Sequence, residues 1–99
     1  MAGMQASATR ACSLMKAMAN TDRLLLLCQI SQGEKCVREL EELVGIHQPT
    51  LSQQLTVLRD EGLVSTRREG KKIYYRMAST EALAVMQVLY QQFCRKDAD

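Results

Sequence analysis

The fold is decided by one stretch, Ile46-His47-Gln48-Pro49-Thr50-Leu51-Ser52-Gln53-Gln54-Leu55-Thr56-Val57-Leu58-Arg59-Asp60-Glu61-Gly62-Leu63. Leu51, Leu55 and Leu58 recur at i, i+4 and i+7, a spacing that places them on one face of an α-helix. Pro49 suits the first turn of that helix. The opposite face is almost entirely amide and hydroxyl. The stretch therefore predicts a half-buried helix whose outer face can hydrogen-bond to a partner.

A second helix is predicted immediately before this one, over Val37–Val44. Its expected inward-facing residues are Val37, Leu40, Leu43 and Val44. Gly45 ends it, and Gly45–Gln48 is a tight turn into the next helix. Two helices joined by a short turn that contains glycine are typical of a helix-turn-helix motif.

A β-hairpin is predicted immediately after the motif. Val64–Arg68 and Ile73–Met77 alternate apolar with polar residues and are rich in β-branched or aromatic types, and Glu69–Lys72 supplies the turn. Five of the thirteen basic residues lie within ten positions there, namely Arg67, Arg68, Lys71, Lys72 and Arg76. The only acid among them is Glu69. Such clustering of positive charge is the electrostatic footprint expected of a surface that binds phosphate.

The remaining predicted helices are Ser7–Ala19, Arg23–Ser31 and a last one that begins at Ser79 or Thr80 and runs to about Arg95. Asn20 is a good N-cap for the second of them. The resulting order is four helices, a hairpin and a fifth helix. This order predicts a mainly α (α+β) winged helix-turn-helix in a single DNA-binding domain over residues 1–99.

The first and last helices carry wider apolar stripes than the central core requires. The simplest use of the surplus is a two-fold homodimer formed through these two helices. Two recognition helices could then meet major grooves about 34 Å apart on a pseudo-palindromic site.

Composition adds few constraints. The chain has 99 residues, 46% of them hydrophobic, and a formal net charge of only +2, so the distribution of charge matters more than its total. No apolar run approaches the roughly 18 residues of a membrane span, and the N-terminus does not resemble a secretory signal. We therefore expect a cytoplasmic protein without a membrane partner. In that compartment its four cysteines are core residues, metal ligands or redox groups rather than a structural disulfide framework.

The expected partner is double-stranded operator DNA. Glutamine can bond adenine through two atoms, and threonine offers its methyl group to thymine. The candidates for contact with base edges are Gln48, Thr50, Ser52, Gln53, Gln54 and Thr56. The candidates for contact with phosphate are Arg59, Arg67, Arg68, Lys71 and Lys72. His47, the single histidine, is expected to be a turn residue or a phosphate contact rather than a ligand or a catalyst.

Several of these motifs together resemble the ArsR/SmtB family of bacterial repressors. They are Met15-Lys16-Ala17-Met18-Ala19-Asn20, Arg23-Leu24-Leu25-Leu26-Leu27-Cys28, the Pro49–Leu55 helix, Leu58-Arg59-Asp60-Glu61-Gly62-Leu63-Val64 and Ile73-Tyr74-Tyr75-Arg76. The resemblance covers nearly the whole chain. It implies a homodimeric winged-helix repressor that an inducer releases from DNA.

Members of this family often sense metals, but the family's two familiar metal sites are not preserved in this sequence. In the third-helix site, Cys36 matches one ligand cysteine, whereas the second is replaced by Arg38, a cation that opposes a divalent metal. The last-helix site needs histidines, and this last helix has none. We expect no metal site and no cofactor, although Cys12, Cys36 and Cys94 leave open an alternative, a metal- or metalloid-responsive repressor that uses cysteine thiolates.

Cys28 and Cys94 are similar to the cysteines of the sulfide- and persulfide-responsive branch of the family, the BigR and SqrR type. In that branch, a cysteine on the second helix and one on the last helix are joined within a subunit by a disulfide or a short polysulfide. The resemblance assigns these redox-sensing roles to Cys28 and Cys94. It implies a dithiol sensor with reactive sulfur species as inducer. No catalytic residues are expected, because the chain has one histidine, no Cys-x-x-Cys pair and no Gly-rich phosphate loop.

Overall fold

A computed structural model describes residues 2–94. The helices are α1 (Ala2–Met18), α2 (Thr21–Ser31), α3 (Val37–Val44), α4 (Thr50–Asp60) and α5 (Thr80–Leu89), followed by a π-helical turn, Tyr90–Cys94. The strands are β1 (Lys35–Cys36), β2 (Val64–Glu69) and β3 (Lys72–Met77). This is the winged helix-turn-helix that the sequence predicts, with five α-helices in the described part of the chain.

The helix boundaries follow from local chemistry. The Asn20 side chain accepts a hydrogen bond from the Arg23 N–H and caps α2, as predicted, and Ser79 caps α5 in the same way. Gly45 ends α3 with a φ of 71°, a left-handed conformation that side chains disfavour. These residues fix where α2 and α5 begin and where α3 ends.

The sheet is antiparallel and has the order β1-β3-β2. In the hairpin, Val64 pairs with Met77 and Glu69 pairs with Lys72, so the turn consists of two residues, Gly70 and Lys71. The sequence predicted only this hairpin. The third strand, β1, pairs with the middle of β3, at Tyr74 and Tyr75, and escaped prediction because it is only two residues long.

The core lies between α2, the helix-turn-helix, the base of the wing and α5. Its largest fully buried side chains are Leu26, Leu27, Ile30, Leu40, Leu51, Leu55 and Leu58. The predicted leucine face of α4 is therefore confirmed. Leu43 was predicted to face inward, but it is 53% exposed, so that expectation is wrong.

The two terminal helices differ from their predicted bounds. α1 begins at Ala2 rather than Ser7, and the α-helical part of the last helix ends at Leu89 before the π-helical turn. Arg95, the predicted last helical residue, lies outside the described residues. Several large apolar side chains on these helices are exposed, including Met4, Met15, Val88 and Phe93. These exposed side chains leave an apolar surface on the isolated protomer.

Candidate nucleic-acid interface and cysteine groove

The N-terminal half of α4 presents an exposed polar face. Gln48 accepts hydrogen bonds from the Ser52 backbone N–H at 3.1 Å and from the Ser52 hydroxyl at 2.6 Å, so it caps the start of the helix. The Thr56 hydroxyl donates to the Ser52 carbonyl at 2.8 Å. The exposed side chains of Thr50 and Gln53 form no hydrogen bond within the described residues. Of the exposed base-edge candidates, these two have the most hydrogen-bonding capacity left for a partner.

Gln54 differs from its neighbours because it is half-buried and already bonded. Its Oε1 accepts a hydrogen bond from Arg23 Nη1 at 2.9 Å. A guanidinium has only donors, so the amide oxygen must be the atom that faces Arg23. Contact with adenine through two atoms needs that same oxygen together with the amide N–H. The bond to Arg23 uses one of the two lone pairs of that oxygen and orients the amide toward Arg23, so Gln54 is less available for such a contact than Gln53.

Arg67 is engaged within the protein. Its Nη2 lies 2.6 Å from Glu34 Oε1 and its Nη1 lies 2.6 Å from Glu69 Oε2. The guanidinium also stacks over the ring of Tyr74, 4.6 Å from the ring centroid. The hydrogen bonds from Arg67 hold the pKa of Glu34 below its ordinary value, and those two carboxylates raise the pKa of Arg67. Sequence reasoning missed Glu34, because it lies 33 positions away along the chain.

Three of the other four wing cations are unengaged, whereas Arg76 Nε donates to the Ser65 hydroxyl at 3.2 Å. Arg68, Lys71 and Lys72 are exposed and form no ion pair with another side chain among residues 2–94. Arg59, at the end of α4, is 3.9 Å from Asp60 and also exposed. The wing thus offers positive charge that the fold itself does not neutralise, whereas Arg59 has Asp60 beside it. This charge can attract a polyanion beside the polar face of α4.

His47 lies exposed in the turn before α4. Its Nδ1 is 3.6 Å from a carboxylate oxygen of Glu41. This position agrees with the expected turn residue. No group of three or more histidine, cysteine or acidic residues within residues 2–94 could hold a metal ion.

Cys28 lies beside the last helix in an open groove of about 560 Å³, called the cysteine groove here. The groove is lined by Cys28, Ser31, Gln32, Leu83, Met86, Gln87, Tyr90 and Gln91. Gln32 Nε2 is 3.9 Å from the Cys28 sulfur, at the end of the same helix. Because Cys28 is only partly buried, a small reagent that enters the groove can reach its thiol.

Cys94 is exposed and ends the described part of the chain. It follows the groove residues Tyr90 and Gln91 in the π-helical turn, but it is not itself among the residues that line the cysteine groove. The structure therefore places Cys28 in the groove beside the last helix, and Cys94 at the end of that helix outside the groove lining. The other two cysteines lie in other elements: Cys12 is exposed on α1, and Cys36 is buried at the start of α3.

No helix within residues 2–94 is both long enough and apolar enough to cross a membrane. The helix-turn-helix, the basic wing and the exposed polar face of α4 define a DNA-binding protein of the winged-helix class.

Comparison with known proteins identifies the family. Residues 20–66 match the model of the bacterial regulatory protein, arsR family. The chain is 50% identical over 91 residues to the biofilm growth-associated repressor of Agrobacterium fabrum, an alignment that covers 92% of this chain and 78% of that protein. The chain therefore belongs to the arsR family of bacterial transcriptional regulators, as the sequence motifs indicate.

Solved structures agree with this assignment. The transcriptional repressor BigR of Xylella fastidiosa is 44% identical and superposes with a TM-score of 0.87, covering 93% of this chain and 94% of that one. Reduced HlyU of Vibrio cholerae is 38% identical with a TM-score of 0.90, covering 95% and 99%. The homodimeric winged helix-turn-helix domain of Mb0332 from Mycobacterium bovis is 32% identical with a TM-score of 0.76, covering 87% and 80%.

Proposed function

We propose that this chain is a homodimeric repressor that binds operator DNA through α4 and the wing and is released by reactive sulfur species. The DNA-binding part rests on one observation above all. The unengaged side chains of Thr50 and Gln53 lie on the exposed face of α4, and the chain turns directly from this helix into a wing with unneutralised cations. Hydrogen-bonding groups on α4 would read base edges, and the wing cations would hold phosphate.

The division of labour within this surface follows from the hydrogen bonds already made inside the protein. Gln53 is the strongest candidate for contact with adenine through two atoms, because both ends of its amide are unengaged. Gln48, Ser52 and Thr56 use part of their capacity to bond within the protein and would make single contacts. Arg59, Arg68, Lys71 and Lys72 would contribute most of the phosphate binding. Arg67 would contribute less, since its donors already face carboxylates.

Homodimerisation is supported by the apolar surface of the terminal helices. Met4 and Met15 on α1 and Val88 and Phe93 at the other end of the chain are all more than half exposed in the protomer. A stable interface buries on the order of 1,000 Å² or more. Pairing these helices across a two-fold axis would cover such an area and would present two copies of α4 on one side of the dimer. The homodimeric state of Mb0332 supports the same arrangement.

Repression is favoured over activation by the names of the more similar relatives. The Agrobacterium fabrum protein, at 50% identity, and BigR, at 44%, are both repressors. HlyU of Vibrio cholerae, at 39%, is a transcriptional activator. An operator that overlaps a promoter would allow this chain to block transcription when bound.

The sensing step would begin with a thiolate and a persulfide. The Cys94 thiolate attacks the outer sulfur of R–S–SH, which breaks the S–S bond, leaves Cys94 as a persulfide and releases R–S⁻. The Cys28 thiolate then attacks the Cys94 sulfur and expels HS⁻, giving a disulfide. If Cys28 is converted to a persulfide first, attack by the Cys94 persulfide anion on the Cys28 sulfur expels HS⁻ and leaves a trisulfide. The persulfide reagent is the oxidant in both routes.

The bridge would act on DNA binding through the last helix. It would tether the end of that helix, which belongs to the proposed pairing surface, to α2 in the core of the same subunit. A change in the relative position of the two α4 helices would then weaken binding at both half-sites together. A weakening of about 1.4 kcal/mol already lowers affinity tenfold.

The experiment measures intact mass and DNA affinity on the same samples of wild-type protein, Cys28→Ser and Cys94→Ser, after exposure to an organic persulfide. The DNA is a duplex selected from random sequences by the wild-type protein. We expect the wild type to lose two hydrogens, with or without a gain of sulfur, and to bind at least tenfold more weakly. Both serine variants should bind DNA and keep their affinity after exposure, even where the remaining thiol gains a persulfide sulfur, because neither can form the bridge. Cys12→Ser is the matched control and should respond like the wild type.

A full response by Cys28→Ser would contradict the sensing pair. Release by a thiol-binding metal or metalloid, without persulfide, would instead support the alternative inducer. The DNA-binding part is tested separately by Gln53→Ala, which should weaken binding to the selected duplex about tenfold while leaving a random-sequence duplex unaffected. Equal affinity of this variant and the wild type for the selected duplex would remove Gln53 from base reading.

A further inference from the structure

Arg23 forms a second polar network, outside both the exposed DNA-binding surface and the cysteine groove. It lies in the first turn of α2 and is half-buried. Its backbone N–H donates to the cap residue Asn20 at 3.1 Å, which fixes the base of the side chain. The long cation is therefore anchored where α1, α2 and α4 come together.

The guanidinium of Arg23 bonds to α1 on one side. Its Nε donates to the Ala17 carbonyl at 2.6 Å, and its Nη2 donates to the Lys16 carbonyl at 3.2 Å. These carbonyls belong to the last turn of α1, where the helix has no amide left to satisfy them and carries partial negative charge. A cation at this point supplies donors to these carbonyls and offsets the partial negative charge. Because Ala17 is buried, this end of α1 is a fixed part of the core.

On the other side, the same guanidinium bonds to the recognition helix. Nη1 donates to Gln54 Oε1 at 2.9 Å, so all three guanidinium nitrogens have an acceptor. Planar guanidinium geometry holds these donors in fixed directions. One side chain therefore sets the position of α4 relative to the end of α1, the helix that carries part of the exposed apolar surface.

We propose that Arg23 is a positioning residue for DNA binding that acts through Gln54 and does not itself touch DNA. It couples the geometry of the dimer-forming helix α1 to the orientation of α4. This inference deepens the proposed function and rests on it, since it assumes that α4 reads DNA. It also assigns Gln54 to support of the reading helix rather than to contact with adenine through two atoms.

The test compares Arg23→Met with Lys16→Met. Methionine keeps much of the arginine stem but has no donor, whereas Lys16→Met removes a neighbouring positive charge and leaves the Lys16 carbonyl in place. Affinity for the duplex selected by the wild-type protein is measured over a range of salt concentrations. We expect Arg23→Met to bind about tenfold more weakly with an unchanged salt slope, because the same phosphates stay neutralised. Lys16→Met should stay within about twofold of the wild type.

Two substitutions of Gln54 distinguish support from base contact. Gln54→Glu keeps an acceptor for Arg23 and should bind more tightly than Gln54→Met, which should bind about as weakly as Arg23→Met. The double variant, Arg23→Met with Gln54→Met, should be no weaker than the weaker single variant, since both remove the same link. If Arg23→Met does not fold, judged by its urea unfolding curve, the comparison of Gln54→Glu with Gln54→Met decides alone.

Each contrary result overturns the inference. Wild-type affinity of Arg23→Met would show that the link is unnecessary. A fall of about 0.9 in the salt slope of this variant would show that Arg23 neutralises a phosphate. Equal weakness of Gln54→Glu and Gln54→Met would assign Gln54 to the DNA. Failure of the wild-type protein to select any duplex would overturn the proposed function itself, and this inference with it.

Discussion

The central region, residues 20–77, and the terminal helices use their apolar residues in opposite ways. In the centre, the core leucines such as Leu55 are at most 3% exposed and pack against one another, and Leu25 and Leu43 are the exposed exceptions. On the terminal helices, Met15, Val88 and Phe93 are between 55% and 70% exposed. The centre supplies most of the buried apolar side chains. The terminal helices contribute some residues to that core and leave the rest of their apolar area exposed, where the proposed dimer would cover it.

The largest expected effect comes from truncating one large apolar side chain to alanine in each region and comparing the losses of stability. Leu55→Ala leaves a cavity in a close-packed core and should lower the free energy of unfolding by about 2–5 kcal/mol. Phe93→Ala, at protein concentrations too low for dimers, should change it by no more than about 0.5 kcal/mol. Urea unfolding followed by circular dichroism measures both. Equal losses would mean that the two regions form a single core and would remove the contrast.

The next largest effect concerns association. Val88→Glu places a charge in the proposed pairing surface and should raise the dissociation constant of the dimer at least tenfold, since an unpaired charge is costly to bury. Leu43→Glu is a matched control, because Leu43 on α3 is 53% exposed and Val88 is 55% exposed. Sedimentation velocity should show a monomer for the first variant and a dimer for the second. A dimer in both cases would contradict pairing through the last helix.

Most of the central region could be predicted because its signals are local. The leucine spacing of α4, the Asn20 cap and the glycine that ends α3 each depend on residues within a few positions, and all three are confirmed. The hairpin could be predicted for the same reason, with boundaries shifted by at most one residue. The family resemblance then identified what such a motif does.

The remaining features depend on what lies opposite each residue in space. Leu43 fits the helical period but faces outward, because no element within residues 2–94 covers that side of α3. Arg67 stands in the sequence as one of five equivalent wing cations, yet Glu34 and Glu69 engage it. The bond between Arg23 and Gln54 joins residues 31 positions apart, and no local pattern signals it. The periodicity of a sequence indicates which residues share one face of a helix. It does not indicate which other element, if any, packs against that face.

A smaller effect is expected from the wing, where neighbouring cations differ in their engagement. Replacing Lys71 and Lys72 with alanine should lower the steepness of log affinity against log salt by about 0.9 for each phosphate that is no longer neutralised. Arg67→Gln should lower it less, because its donors already face carboxylates. Fluorescence anisotropy on one duplex at several salt concentrations measures this slope for the wild type and for both variants. An equal fall for both variants would mean that Arg67 leaves its carboxylates when DNA binds.

The smallest expected effect lies on the surface of the central region, at the ion pair between Glu34 and Arg67. Hydrogen bonds from Arg67, followed by its positive charge, lower the pKa of Glu34 from its ordinary 4.5. A lowered pKa means that the folded protein holds this proton less tightly than the unfolded chain does. The carboxylate therefore stabilises the fold above its ordinary pKa, and this contribution is lost as the pH falls through the lowered pKa.

Glu34→Gln should accordingly have a lower melting temperature than the wild type at neutral pH. The difference between the two melting temperatures should narrow below about pH 4.5 and then disappear. Thermal unfolding across a pH series measures this difference. In an Arg67→Gln background the same substitution should have little effect at any pH, because the partner that lowers the pKa is gone. A difference that stays constant at all pH values would mean that Glu34 supports the wing through packing rather than charge. The polar contact would then stabilise the fold in the same way as the buried leucines.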